Sequence, residues 1–271
     1  MISVGLRRVA DALLAAVLAP TCAACAHPLD SSFDGPVCAA CWGSIAPPQP
    51  PLCRLCGASL PSWRTISTAL SRCVECRRYR TTIASGASAG EYANALRAIV
   101  HAFKYDRRRS LAAPLAARMR DAGAAVLDGA DCVIPVPLHP WRRLERGFNQ
   151  ASDLADGLGL PVVHALRRRR STPPQSGLRA ASRRRNVRDA FTLSWRLSDA
   201  TRRRRLTGRV VVLVDDVRTT GATLDACARV LASTGVREVR ALTLAHAPIR
   251  PGPVEGASRR RRGAARTGGR P

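Results

Sequence analysis

The sequence predicts an α/β chain: a parallel sheet flanked by helices, preceded by a small cysteine-rich metal module. Three observations carry that prediction. Strand-like and helix-like patterns alternate through residues 81–247, the pattern of a doubly wound sheet. The run Arg209–Val214 is apolar after its first residue, as suits a parallel strand covered on both faces. Eight of the ten cysteines fall in four C-x-x-C pairs within the first 76 residues.

Composition sets the limits. The 271 residues suffice for one sizeable α/β domain and a smaller module. Aromatics make up only 4% of the chain, so the core must be built mainly from Val, Leu, Ile and Ala. The formal charge is +25, nearly all of it from Arg. Such a chain attracts phosphates and nucleic acid whether or not it has a site for them, so charge alone does not argue for specific binding.

Three regions follow from the pattern: 1–80, Cys- and Pro-rich; 81–247, the α/β domain; and 248–271, a basic tail expected to be disordered. In the opening segment Ala10, Leu13, Leu14, Val17 and Leu18 recur with helical period, predicting a packed amphipathic helix rather than a signal peptide. No later stretch is long and apolar enough to span a bilayer, and the expected location is the cytoplasm.

Within the middle region strands are expected at Thr81–Ala87, Asp131–Val136, Arg209–Val214 and Val236–Leu244, with a short one at Pro161–Val163. Helices are expected at Glu91–Tyr105, whose Tyr92, Leu96, Ile99 and Phe103 form one stripe, and at Leu111–Arg120, Asn149–Leu158 and Gly221–Ser233. Pro137, His139 and Pro140 predict a shaped loop after the second strand. Leu166–Arg188, polar and Arg-rich with Pro173 and Pro174, reads as a mobile loop with some helix after Gly177. It is long and charged enough for a lid whose arginines close over phosphates or equally contact nucleic acid. Cys132 and Cys227 sit in apolar settings and read as buried core thiols.

The strongest chemical signal is VVLVDDVRTTGAT at Val211–Thr223. A buried strand ends in two acids, and a short loop then enters a helix. In open α/β sheets ligands bind outside the carboxyl ends of the strands. Backbone N–H groups of Arg218, Thr219, Thr220, Gly221 and Ala222, the helix terminus, and the hydroxyls of Thr219, Thr220 and Thr223 together suit a monophosphate. Gly221 permits a positive φ or close approach of the anion. Asp215 and Asp216 would repel a phosphate unless they met ribose hydroxyls, directly or through Mg²⁺. Neither a Walker A nor a Rossmann glycine pattern is present, which lowers support for ATP hydrolysis and hydride transfer. The competing structural reading makes the acids a helix cap and the threonines a turn. Arg142 and Arg146, after the proline-shaped loop, are placed to take a pyrophosphate, with Asn149 or Gln150 orienting Arg146. Phe191, Trp195 and His246 are candidates to face a nucleobase, and no general base is identified.

The paired cysteines predict two four-thiolate sites for structural Zn²⁺, in preference to disulfides, an iron–sulfur cluster or a redox pair. Sequential pairing joins Cys22 and Cys25 with Cys38 and Cys41, and Cys53 and Cys56 with Cys73 and Cys76; crossed pairing satisfies the spacing equally. Gly57 suits the tight turn of a zinc knuckle, and Trp42 and Leu60 supply a small core.

Val211–Thr223 resembles the phosphoribosyl pyrophosphate signature of type I phosphoribosyltransferases. With the cysteine pairs, HAFKYDRRRSLAAPLA at 101–116, VIPVPLHPWRRLERGFNQ at 133–150 and TPPQSGLRAASRRRNVRDAF at 172–191, the chain over about residues 20–245 resembles the ComF family of competence-associated proteins. That resemblance implies a double zinc ribbon followed by a type I phosphoribosyltransferase-like fold. It implies that Asp215 and Asp216 hold ribose hydroxyls, that Arg218–Thr223 cradle a 5′-phosphate, and that Pro137–Arg143, including Leu138 and His139, is the pyrophosphate loop. Arg218 falls in a variable slot of the signature, its side chain expected toward solvent. Two functions follow. One is transfer of ribose 5-phosphate to an unknown acceptor. The other is a non-enzymatic role in nucleic-acid handling or DNA uptake, with single-stranded DNA or a DNA-uptake protein as partner.

Overall fold

The computed structural model describes residues 20–29, 35–60, 71–169, 187 and 189–247. The predicted N-terminal helix, most of the predicted lid and the basic tail lie outside these residues. Four strands form one parallel sheet: β1 (Ser85–Ser88), β2 (Cys132–Pro135), β5 (Val210–Arg218) and β6 (Glu238–His246), in the order β1-β6-β5-β2. A separate antiparallel pair joins β3 (Leu166–Arg168) to β4 (Phe191–Leu193).

Alternation along β5 explains why it reads as continuously apolar. Val212 and Val214 face one side, where they meet α3 (Asn94–Tyr105), α4 (Ala112–Ala122) and α7 (Gln150–Asp156) through Ile99, Phe103, Leu115, Met119 and Leu154. Val211 and Leu213 face the other, against Leu224, Cys227 and Leu231 of α9 (Ala222–Ala232). A central parallel strand has no solvent face, so every position is apolar. Each such side chain contributes roughly 1.5–3 kcal/mol when fully buried. Cys132 and Cys227 lie in this core, as expected, and burial pushes the Cys132 thiol up to about 11.

Several elements differ from the sequence expectation for nonlocal reasons. Helix α3 starts at Asn94 rather than Glu91, because Glu91 bridges His246 and the Tyr92 amide donates to the His246 carbonyl, continuing the sheet past β1. The segment expected as a loop after β2 winds instead into α6 (Pro140–Arg146): His139 caps it, Pro140 stands in its first turn, and Gly147 ends it at φ 79°. Pro161–Val163 contributes only a single bridge, Val162 to Val133. The start of the predicted lid is strand β3, and the unpredicted α8 (Asp199–Arg205) follows Trp195, capped by the Ser198 hydroxyl. The short α1 (Ala39–Gly43), α2 (Val74–Arg78) and α5 (Ala124–Leu127) complete the elements used below.

The second half of the cysteine module docks directly on the sheet edge. The Gly86 amide donates to the Arg54 carbonyl at 2.9 Å. A Cβ at Gly86 would lie 2.6 Å from the Leu55 carbonyl oxygen, and one at Gly57 (φ 70°) would lie 2.6 Å from the Ser88 amide nitrogen. Two backbones touch here because neither residue has a side chain. Gly57→Ala is therefore expected to strain φ and separate the surfaces, costing at least about 2 kcal/mol. A thermal melt checks this: the prediction is a clear fall in Tm, and an unchanged Tm contradicts the docking.

Candidate functional site

The register of the sheet creates the site. Pro135 is paired with Val214, and the Val136 amide makes the last contact, to the Val214 carbonyl at 2.9 Å. Strand β5 continues for four more residues, paired only with β6 as far as Arg218 and His246. Beyond Val214 its open side faces a cavity of about 380 Å³. Asp215, Asp216, Thr219, Thr223, Pro137 and Leu138 line it. Arg142 and Arg146 reach in from α6, Arg168 from β3, and Lys104 and Tyr105 from the end of α3.

The two acids are not equivalent. Asp216 Oδ1 lies 2.8 Å from Lys104 Nζ, and both side chains are largely buried. Asp215 Oδ1 accepts from the Asp216 amide at 2.9 Å. Burial, and then the neighbouring Asp216 charge, push the Asp215 carboxyl up to about 7, against the opposing pull of Lys104. At neutral pH Asp215 is thus poised between the acid and the carboxylate.

The basic wall is held in place. Arg146 donates to Gln150 Oε1 at 3.2 Å and to the Tyr105 hydroxyl at 3.3 Å, with its guanidinium 4.9 Å over the Tyr105 ring. Gln150 is the orienting residue of the two expected. Asn149 instead donates to the Val136 carbonyl and the Ser152 hydroxyl, tying the strand end to α7. Arg168 stacks over Phe191 at 5.4 Å, and its pKa is depressed. Burial is the larger cause, the Arg142 charge adds to it, and the Asp215 charge opposes it.

Gly221 takes φ 70° immediately before α9, whose first-turn amides have no carbonyl partner within the helix. The Thr220 hydroxyl accepts from the Ala222 amide at 3.3 Å. Thr219 and Thr223 line the cavity; Thr220, Gly221 and Arg218 instead line a narrow cleft against the second cysteine cluster, and Ala222 is buried at the start of α9.

Two sequence expectations are corrected. Arg218 does not point to solvent and does not belong to the loop. It is the last residue of β5, 7% exposed, and donates to the Leu55 carbonyl at 3.0 Å and to Cys76 Sγ at 3.5 Å. A Cβ at Gly221 would fall 3.0 Å from its guanidinium, so the glycine also makes room for Arg218. His139 does not line the cavity: its Nδ1 accepts from the Trp141 amide at 3.3 Å, as a helix cap. Of the proposed base-facing residues, Phe191 is buried in β4, Trp195 is exposed, and His246 sits beside Arg218, where burial and that charge lower its pKa to about 4.

Sequence reasoning missed Lys104 and Arg168. The signal for Lys104 was present: it is the only lysine among the chain's 44 basic residues.

Both cysteine sets close sequentially. Cys22, Cys25, Cys38 and Cys41 have all sulfurs within 4.8 Å of one another, as do Cys53, Cys56, Cys73 and Cys76. The Cys25–Cys38 and Cys56–Cys73 sulfurs are 3.9 and 3.7 Å apart. A tetrahedral ion with Zn–S bonds of about 2.3 Å needs sulfurs about 3.8 Å apart, so both sets suit structural Zn²⁺. Backbone amides of Ala24 and Cys38 donate to Cys22 Sγ, as a thiolate ligand requires. The first site rests against α4, where the Arg118 guanidinium lies 5.1 Å over Trp42 and donates to its carbonyl.

Metal analysis of reductively purified protein should give two zinc ions per chain; iron or no metal would overturn the assignment. Arg218→Ala removes a donor to Cys76, and such changes typically weaken metal affinity about 10- to 100-fold. A chelator should then strip the second site faster while the first is unaffected; equal release from both would contradict the contact. A pH effect follows from Asp215. The folded protein keeps its proton up to about 7, whereas the unfolded chain loses it near 3.8. The folded state binds more protons across that window, so stability falls as pH rises through it. Asp215→Asn should raise Tm at pH 8 by at least about 2–4 °C, the shift that roughly 1 kcal/mol gives at this size. The advantage should vanish toward pH 4, and a pH-independent difference would refute the cause.

Comparison with known proteins agrees with this architecture. Residues 144–260 match the model described as phosphoribosyl transferase domain, and residues 13–77 that described as double zinc ribbon domain. Competence protein F of Haemophilus influenzae is 31% identical over 236 residues, covering 83% of this chain and 96% of its own length. The DNA utilization protein YhgH of Salmonella typhimurium is 31% identical, over 81% of this chain and 93% of its own. Competence protein ComFC of Bacillus subtilis is 38% identical over 103 residues, 38% of this chain and 39% of its own. With two zinc-suited cysteine clusters packed on a phosphoribosyltransferase-like domain, and with near full-length similarity to competence protein F, the chain belongs to the ComF family.

Proposed function

We propose that this chain is an accessory protein of nucleic-acid handling, in line with relatives named for competence and for DNA utilization, and that its cavity binds phosphoribosyl pyrophosphate or a ribose 5-phosphate nucleotide. The observation that carries the ligand is the convergence of two acids, Asp215 and Asp216, with Thr219, Thr223, Arg142 and Arg146 in the lining of one cavity. Carboxylates accept from ribose hydroxyls, hydroxyl and helix-terminal donors take the 5′-phosphate, and arginines take a pyrophosphate bidentately.

Mg²⁺ suits this donor set. The acids offer hard oxygen ligands, and an Asp215 carboxyl raised by burial and then by its like-charged neighbour is relieved by a cation. When bound with the ligand, Mg²⁺ would neutralise pyrophosphate charge. The chain's own residues orient the sugar and hold the anion.

The nucleic-acid role draws on the cavity's rim. On α6, which has no buried residue, Trp141 is 72% exposed and is followed in the chain by Arg142, which lines the cavity, and Arg143. Trp195 is similarly exposed, with Arg196 5.0 Å from its ring. Exposed aromatics interleaved with arginine suit stacking of single-stranded bases along a basic track. Among the described residues no helix is long and apolar enough to cross a membrane.

A second reading is phosphoribosyl transfer, favoured by the domain match and by the arginines placed for a leaving pyrophosphate. Calorimetry with phosphoribosyl pyrophosphate and Mg²⁺ tests the binding claim common to both. Saturable binding is expected for the wild type and at least about tenfold weaker binding for Asp215→Asn with Asp216→Asn. Equal binding by the two proteins contradicts the assignment. A screen of nucleobases for pyrophosphate release then separates the readings: turnover favours transfer, and its absence alongside salt-dependent single-strand binding weakened by Trp141→Ala favours the accessory role.

A further inference from the structure

In a chain that otherwise uses arginine for every basic position, one lysine stands in the cavity, with its ammonium 2.8 Å from Asp216. Lys104 is the penultimate residue of α3, whose apolar face, Ile99, Val100 and Phe103, is fully buried. The helix therefore cannot shift to relocate it. The side chain is 14% exposed and its partner 13%. This is neither a solvated surface pair nor a sealed one: both groups face the cavity.

Residue type matters here. An ammonium is a compact point charge on a flexible four-carbon stem, whereas a guanidinium is a broad planar fork. A guanidinium at this position would have to share the cavity with those of Arg142, Arg146 and Arg168, which already crowd it. An ammonium is compact and can swing on its stem. Its place beside the acids is also where a divalent cation would help most. Asp216 is held by Lys104 at 2.8 Å, while burial, then the Asp216 charge, raise the pKa of Asp215.

Resting on the ligand reading above, we infer that Lys104 is a ligand-binding residue that serves as a built-in cation. In the empty cavity it neutralises Asp216. When a phosphoribosyl ligand arrives, the sugar's hydroxyls take over Asp216 and the released ammonium turns to the ligand's phosphate oxygens. The consequence is binding that depends only partly on a divalent ion, because one positive charge is covalently supplied.

The test is calorimetry of phosphoribosyl pyrophosphate binding to the full chain, in excess Mg²⁺ and in chelator, for wild type, Lys104→Met and Lys104→Arg. Lys104→Met keeps the apolar stem, and its melting curve and zinc content check folding. Wild type should retain measurable binding in chelator. Lys104→Met should lose at least about tenfold there, the usual value of a charge-assisted contact, and recover most of it in Mg²⁺. Lys104→Arg should fail to restore binding in chelator. A uniform loss in both conditions would mark a merely structural role and overturn the inference. So would an Mg²⁺ requirement in the wild type as steep as in Lys104→Met. Wild type that binds nothing even in Mg²⁺ would overturn the ligand reading itself, and the inference with it. As the only lysine, Lys104 also gives a single side-chain signal after reductive ¹³C-methylation. That signal should shift on adding the ligand in chelator, and an unmoved signal at saturation would contradict release from Asp216.

Discussion

Strand β5 is longer than its neighbour β2, and the rest of the site depends on that mismatch. The two strands run in register until Pro135 meets Val214; the proline-rich chain then leaves the sheet while β5 continues along β6 to Arg218. A strand end paired on one side only exposes its other side, and here that side carries two adjacent acids. A carboxylate pair half-buried at a strand end costs desolvation and mutual repulsion. The fold offsets part of that with the Lys104 ammonium and leaves the remainder as the raised pKa of Asp215. The unrelieved part of the cost is what a ribose hydroxyl pair or a divalent cation would relieve.

The cysteine module is part of this construction. Its second cluster meets β1 through backbone contacts that glycines at 57 and 86 permit, and Arg218 crosses from the end of β5 to the Leu55 carbonyl and Cys76 sulfur. The residue just before Thr219 is thereby tied to a cysteine of the second zinc-suited cluster. That knuckle has only a small core of its own, and it fixes the last residue of the central strand. Gly221 closes the arrangement, since a side chain there would press on the Arg218 guanidinium.

What the sequence revealed, and what it hid, separates along local and nonlocal lines. The parallel sheet was legible because the apolar run 210–214 has no solvent face, and helices α3 and α9 because their stripes repeat at helical spacing. The true end of β5 was hidden: Asp215 and Asp216 look like a strand end, and only pairing with β6 carries the strand on to Arg218. Arg218 looked solvent-directed because its partners lie more than 140 residues earlier. Helix α6 was hidden by prolines that suggest a loop, although Pro140 near its start and Gly147 at its end are helix signals. Helix α8 buries no side chain, so it leaves no periodic trace. Sequential cysteine pairing could not be read from spacing, because which knuckles face each other is a property of the folded chain.

The central claim is that a phosphoribosyl group sits where β5 outruns β2. A crystal structure of the protein with phosphoribosyl pyrophosphate and Mg²⁺ tests it most directly. The account predicts the 5′-phosphate at the start of α9 beside Thr219 and Thr223, the ribose hydroxyls at Asp215 and Asp216, and the pyrophosphate toward Arg142 and Arg146. A ligand bound elsewhere, with Lys104 still on Asp216 and the cavity unaltered, would contradict it.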